Sequence, residues 1–564
     1  MKNVRGILLF ALMLAGGAMK AQLPPGILDL SYGPAGGGWT VAGFPPAIGS
    51  KADAVVLQPD GKAIVGGWST FPTPPEMYTS LARFDTNGIL DPSFGTGGMV
   101  TINLAPSTTA VWPEQITALA FDTFDQSILA AGRVFRTATL TDIFVCRFDK
   151  HGYLVPTFGN NQGCRIIDVN SEDNYPSGVA LDAKRRIVIC ATTVPTGIRI
   201  PILLRLMPDG GNDASFGIGG YVGFADCFDC ESKGVAVQPD QMIVTAGDGL
   251  DTSAAFDAGK RDPFVIRVTE SGVRDAGFAK NGLFLADVVS GEETVEGMGL
   301  YTDGRIMLIG TALTQSPAPV VTDYIDLLVV RLRTDGWLDP ACGSIGPLLG
   351  ARVFPIGPDS SLTPPLGNAD VGLGMIVDPK NYTVVGGYNG GYAIMAAIDP
   401  DCELETGFGP YGSGATYLRY NMHDVEFTSV GIDSTVFPYR LIAAGKAQTA
   451  AGMYAMTAAR FGGYPHTFSG IFEPARLRVA LETYPNPCND SDFYVMLNAP
   501  ENLLARFELY DMAGRVVGGW GPVAISEGPQ SIRFVLPPRL PAGVYSLNLI
   551  AAEGFGSVLL IKGW

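Results

Sequence analysis

The residue types best placed for chemistry in this chain are arginines and aspartates eight positions apart: Arg83 and Asp91, Arg205 and Asp213, Arg267 and Asp275, Arg331 and Asp339. A guanidinium facing a carboxylate can clamp an anionic group or orient an acid. Four copies at one spacing predict instead a structural pair, repeated once per building unit and worth about 0.2–1 kcal/mol across two strands. Asp29 has no arginine near it, and the pattern assigns it Arg460 from the far end of the sequence. Two copies depart from the pattern, with Val155 opposite Arg147 and Ala397 opposite Glu405.

Other reactive types are scattered. His151, His423 and His466 fall in a turn, a loop and a linker, which leaves a Ser-His-Asp or Cys-His site hard to assemble. HExxH, GxSxG and Walker A patterns are absent from the sequence. Cys227 and Cys230 form a lone CxxC, read as an oxidised loop pair rather than a zinc site. Eight cysteines at irregular spacing predict no disulfide framework, and Cys190 and Cys342 read as buried apolar side chains. DTNGILD (85–91) opens like a calcium loop but lacks the distal Glu, and GIGGYVGF (217–224) lacks the βαβ context of a dinucleotide site. No catalytic, cofactor-binding or metal residue is assigned. Paired-carboxylate catalysis leaves no linear signature, so an enzyme stays open as the less favoured expectation.

The elements that must position these residues recur. A first element reads AVVLQPDGKAIVGG (54–67), ALAFDTFDQSILAAG (118–132), GVALDAKRRIVICA (178–191), GVAVQPDQMIVTAG (234–247), GMGLYTDGRIMLIG (297–310), GLGMIVDPKNYTVVGG (372–387) and VGIDSTVFPYRLIAAG (430–445). A second, such as LARFDTNGILDPSFGTGG (81–98), follows six of them; the seventh copy is split between AARF (458–461) and ILDLSYGPAGG (27–37). Each element is a pair of β-branched runs around Asp-Gly or Asn-Gly, the hairpin signal, and two hairpins make a four-stranded unit. Seven units with one strand supplied from the opposite end predict an all-β fold: a seven-bladed β-propeller over 27–462, closed by its N-terminal strand. Both tight turns of every unit then share one face. The long connections, 69–80, 247–263, 311–326 and 347–368 among them, lie on the other, where binding loops are expected. That face is acidic, with Asp168, Glu172 and Asp173; Asp226, Asp229 and Glu231; Asp287, Glu292, Glu293 and Glu296; Asp359 and Asp424. A solvated rim is the favoured expectation, a cation or positively charged partner the other.

The ends carry different information. Residues 1–21 have a basic start, an apolar run and a small-residue exit, the pattern of a signal peptide. The formal charge is −17, or −20 without Lys2, Arg5 and Lys20 of that segment, which argues against nucleic acid or anionic lipid as partners. No other run is long and apolar enough for a transmembrane helix. Residues 463–480 read as a linker, and alternating strands over 481–564 predict a small Ig-like β-sandwich.

Two resemblances follow from these residues. LDPSFGTGG and NDASFGIGG, preceded by a QPDGK-type turn, resemble the delta-60 repeat family, which implies a propeller-like fold in a large secreted or surface protein and transfers no catalytic residue. YPNP at Tyr484, Pro485, Asn486 and Pro487, ELYDMAGRVV with Gly514, LPAGVYSLNL with Gly543 and Tyr545, and the closing LLIK resemble the C-terminal sorting domain of type IX secretion in Gram-negative bacteria. That resemblance implies a partner in the outer-membrane secretion machinery and a location outside the cell, on the surface or released. The expected function is a binding or adhesion scaffold for an extracellular glycan or protein. A glycan-acting hydrolase or lyase using carboxylates on the long-loop face, and a structural component of the cell envelope, are the alternatives.

Overall fold

A computed structural model describes residues 23–463 and 477–562 apart from short internal stretches, of which 105–113, 251–258, 316–322, 357–369 and 419–423 are the longest. The structure is all-β, with two single-turn 3-10 helices at Pro195–Gly197 and Pro340–Cys342 among the described residues. Residues 1–22 lie outside the described residues. No described helix is long and apolar enough to cross a membrane.

Seven four-stranded antiparallel sheets are formed by the described residues between Trp39 and Gly462. The first contains Gly49–Leu57, Ala63–Pro72, Pro75–Phe84 and Met99–Ile102; the next five start at Glu114, Asn174, Glu231, Glu293 and Val371. The seventh combines Val425–Asp433, Arg440–Gln448 and Tyr454–Gly462 with Trp39–Ala42, which pairs antiparallel to Tyr454–Gly462. The first strands of successive sheets pack on one another in chain order, and Val425–Asp433 packs back on Gly49–Leu57. Hydrophobic clusters lie between neighbouring sheets: Leu129, Val145, Ile189 and Leu204 fill one gap, and Ala52, Val65, Ile442 and Met456 fill the gap between first and seventh. Sheets buried on both faces explain the near-continuous apolar runs such as ILAAG and IVICA.

The third and fourth strands are not one tight hairpin. After Phe84 the chain makes a small turn closed by a Phe84–Leu90 bridge, then a second turn through Phe94, and only at Met99 joins the sheet. Asp91 therefore sits in the connection, with its N–H donating 2.9 Å to the Arg83 carbonyl, and not on a facing strand.

Three disulfides form: Cys227–Cys230 is the expected loop pair, and the other two correct the cysteine reading. Cys146–Cys164 joins the third and fourth strands of the second sheet, Cys227–Cys230 closes a local loop, and Cys342–Cys402 spans 60 residues to join the fifth sheet to the sixth. Cys342 is buried, but as a disulfide half; pairing is a property of space, and irregular spacing along the chain does not forbid it. Cys190 and Cys488 are buried free thiols.

The C-terminal unit consists of a five-stranded sheet and a three-stranded sheet around a shared core of Phe493, Phe507, Phe534, Leu547 and Leu560. Leu477–Arg478, read from sequence as linker, pairs parallel to Gly554–Lys562 and so belongs to this unit.

Candidate functional site

One backbone irregularity recurs in every sheet of the array. The first strand carries a β-bulge where it passes the second, between Ala52 and Ala54, Ile116 and Ala118, Pro176 and Gly178, Ser232 and Gly234, Val295 and Gly297, Gly372 and Gly374, and Phe427 and Ser429. The residue opposite is the last of each first repeat element, a glycine in six of seven sheets. A Cβ on Gly67 would lie 2.0 Å from the Lys51 carbonyl oxygen, and one on Gly310 would lie 1.8 Å from that of Thr294. The glycine thus admits the bulge, and the bulge re-aims one extra side chain. Those seven side chains are Asp53, Thr117, Ser177, Lys233, Glu296, Leu373 and Thr428, all half-buried at the inner edges of the sheets. Sequence reasoning placed Glu296 in the acidic rim and passed over the other six.

Two charged networks run through this level. In one, Lys51 Nζ lies 3.2 Å from Asp53 and 3.0 Å from Glu426, Lys446 Nζ lies 3.0 Å from the other Glu426 oxygen, and Gln115 Nε2 donates 2.8 Å to Asp53. Arg133 donates to Gln115 at 2.8 Å, so this network crosses from the seventh sheet to the second. In the other, Lys233 Nζ lies 3.0 Å from Glu231 and 3.7 Å from Glu296, and Arg199 Nη1 lies 3.1 Å from Glu231. Burial lifts Asp53 and Glu296 above the ordinary carboxylate range despite their lysines. Burial acts the same way on Glu426 and Glu231, yet each sits between two cations and ends below its ordinary value. The inner edge is a mixed-charge, largely self-neutralised surface, suited to hydrogen-bonding a polar ligand.

Beside it lie buried polar groups that tie each sheet to the connection arriving from the previous one. Glu114 accepts from Leu104 N at 2.6 Å, Asn174 Nδ2 donates to Glu172 O at 2.8 Å, and Glu293 accepts from Val288 N at 3.4 Å. In the fourth sheet the Cys227–Cys230 disulfide takes that place. In the sixth it is Asp370, which accepts from Asn389 Nδ2 at 2.7 Å at the edge of a small apolar pocket lined by Leu327, Ile356, Val385 and Ile394. Burial, aided by the nearby Asp326 carboxylate, pushes Asp370 up to about 7. Asp262, Asp287 and Glu293 bring three carboxylate oxygens within 4.8 Å of one another at the gap between the fourth and fifth sheets, a spacing at which such groups can hold a cation. Asp262 and Asp370 were not singled out from sequence, because neither stands in a repeat motif.

The arginine–aspartate pairs are brought together at the tight-turn end. Arg83 Nε lies 3.0 Å from Asp91, Arg205 Nε 2.7 Å from Asp213, Arg267 Nη2 2.6 Å from Asp275, Arg331 Nε 2.8 Å from Asp339 and Arg460 Nη2 2.8 Å from Asp29. Each arginine also donates to a turn carbonyl of the following sheet, including Arg267 to Thr334 at 2.7 Å and Arg460 to Thr86 of the first sheet. Arg147, whose facing residue is Val155, instead takes Asp122 at 2.6 Å and Asp125 at 3.0 Å from its own sheet's first turn. Arg83, Arg205, Arg331 and Arg460 are buried, so their energetics are those of interior ion pairs and not of exposed cross-strand ones.

Among the sorting-motif residues, Tyr484 ends a strand paired to Tyr494, Gly543 starts the strand Gly543–Ala551, and the Tyr545 hydroxyl donates 2.7 Å to the Pro541 carbonyl. Pro485, Asn486, Pro487 and Gly514 lie outside the described residues. Of the acidic rim, Asp168, Asp229 and Asp226 are ion-paired to Arg136, Arg199 and Arg274. Asp359, and most of the long connections after the second, fourth and fifth strand pairs, also lie outside the described residues.

Residues 58–94 match a family model described as a domain of unknown function (DUF5122) beta-propeller. The fold is a β-propeller. The matched stretch runs from the first tight turn through the Arg83–Asp91 pair to Phe94. No curated protein matches the propeller chain in sequence. Solved structures similar to it include the polysaccharide lyase Uly1 (TM-score 0.40, 10% identity, covering 78% of this chain and 100% of that one). The β-propeller domain of the Trilobed protease from Pyrococcus furiosus (0.36, 8%, 76% and 100%) and the α-L-arabinanase of Penicillium chrysogenum in complex with arabinobiose (0.35, 9%, 61% and 92%) are similar as well.

Proposed function

We propose that the chain is a seven-bladed β-propeller, closed by its N-terminal strand, that acts outside the cell as a binding or adhesion scaffold for a glycan or protein. The seven sheets of like construction, and Trp39–Ala42 completing the last of them, support the architecture. The observation that carries the binding reading is the ring of bulged residues. One backbone device presents seven side chains of six types at the inner edge, and its charged members pair with each other. Displacing one hydrogen bond at a time by a polyhydroxylated or zwitterionic ligand suits such a surface. The C-terminal unit is read as an Ig-like sorting domain for type IX secretion, on its motifs and its two-sheet core.

A glycan-acting hydrolase or lyase is the second reading, favoured by Asp370, a carboxyl near pKa 7 beside Asp326. Both are tested by passing the full chain over glycan and protein arrays while reducing ends are measured. Retention without turnover is expected; turnover without retention would overturn the scaffold reading in favour of the enzyme. For export, removal of residues 481–564 should trap the protein in the periplasm, and normal surface display would refute the sorting role.

A further inference from the structure

Successive sheets are stapled together at the tight-turn end by one repeated contact. An aromatic ring at the end of one sheet's last connection packs against a glycine in the next sheet's turn. Phe94 covers Gly152, Phe158 covers Gly210, Phe216 covers Gly272 and Phe278 covers Gly336; Phe408 covers Gly26, and Tyr32 covers Gly88 of the first sheet. A Cβ added at Gly152 or Gly336 would sit under 3 Å from the ring, so the contact needs glycine. Arg83, Arg205, Arg267 and Arg460 stack on the outer side of four of these rings at 4.5–4.6 Å. Beside each ring a backbone bond crosses the same gap, as Gly95 N to His151 O at 2.7 Å and Gly33 N to Asn87 O at 2.7 Å.

Between the fifth and sixth sheets both partners are replaced. The aromatic position is Cys342 and the glycine position is Cys402, which adopts the glycine-like φ of 63°, and the two are joined. Of the three disulfides it alone links two sheets of the array. Arg331 here has no ring to lie on at this position and rests over Tyr301 at 5.7 Å. Two thiols bring less apolar area to this point than a ring on a glycine, while Val329, Ile394 and Ile398 pack the rest of the gap. The same gap holds the apolar pocket at the edge of which Asp370 lies.

We propose that the Cys342–Cys402 disulfide is an oxidation-dependent latch: six gaps close by packing and hydrogen bonds without a covalent link, and the gap between the fifth and sixth sheets closes fully only when these thiols are oxidised. The two thiols lose two protons and two electrons to a disulfide-class oxidant, which leaves as two thiols, and one S–S bond forms. Both sulfurs are buried in the closed form, so the bond is shielded from reductant once made.

The test refolds full-length chain under dithiothreitol or under oxidised glutathione and reads amide exchange over 340–350 and 399–405. Wild type refolded under dithiothreitol should exchange there at least about tenfold faster than the oxidised form, with the other turns unchanged. The paired substitution Cys342→Phe with Cys402→Gly rebuilds the common staple and should give slow exchange under both conditions. It also controls for reduction of the other two disulfides. Equal exchange in reduced and oxidised wild type, or fast exchange in the Phe/Gly variant only under dithiothreitol, would overturn the proposal.

Discussion

The tight-turn end and the bulge level of the sheets repeat the same backbone with different results in side chains. At the tight-turn end, position after position repeats one chemistry: arginine, aspartate, aromatic ring, glycine. At the bulge level the backbone repeats as faithfully, but the side chains it presents are an aspartate, two threonines, a serine, a lysine, a glutamate and a leucine. Where chemistry repeats with geometry, the residue serves assembly. Where geometry repeats and chemistry diverges, the diverging side chains are the ones a ligand would meet on the proposed scaffold reading, although Asp53, Ser177 and Thr428 also bond to a neighbouring sheet.

The comparison breaks most visibly through the buried arginines. Arg205→Ala takes from the buried Asp213 its nearest guanidinium, leaving Arg186 at 3.5 Å, and removes the tie to the next sheet, and should cost about 3 kcal/mol in urea unfolding. Arg460→Ala should cost a similar amount and also raise amide exchange at Asp29 and Tyr32, because their staple to Thr86 goes with it. A loss below about 1 kcal/mol in both would place these pairs with exposed ion pairs and remove the contrast.

Asp370 sharpens the picture at the other end. Its raised pKa means that the native state holds a proton the unfolded chain has released between pH 4 and 7. Stability should therefore fall by a few kcal/mol as pH rises through that window, and Asp370→Asn should flatten the curve. Asp91 has the opposite sign. Burial opposes its ionisation, but the Ser93 hydrogen bonds with Lys62 and Arg83 hold it at about 2, so its contribution is present above pH 4 and is lost as pH falls toward 2. Urea midpoints from pH 2 to 8 check both. The smallest effect belongs to a bulged residue outside the charged networks: Thr117→Ala should stay within about 1 kcal/mol of wild type, because its hydroxyl bonds only to the Ala131 carbonyl of its own sheet.

How much of this was legible depends on whether a feature is local. The eight-residue spacing of Arg83 and Asp91 is local, and it placed five partners, even Asp29 and Arg460 from opposite ends. The partner of Arg147 was not legible, since Asp122 comes from an earlier turn of the same sheet. The closing glycine of each first element was visible as a repeat, but nothing in a string of letters says that the Lys51 carbonyl occupies the space of a Gly67 side chain. For that reason the bulged residues, Glu296 aside, went unread. Cys342 and Cys402 look unrelated in sequence because they replace two different residue types, 60 positions apart. Asp370 carries no motif, and its altered acidity comes from burial and from Asp326 of the preceding sheet.

The most direct test of the division between assembly and recognition compares two full-length variants on glycan and protein arrays, each at matched folded fraction. One carries Asp53→Ala, Lys233→Ala and Glu296→Ala at the inner edge; the other carries Tyr153→Ala and Trp337→Ala, which are exposed on the tight-turn end. The inner-edge variant should lose retention by at least about tenfold while the turn variant keeps it. Retention that survives the inner-edge changes and disappears with the turn changes would contradict the account.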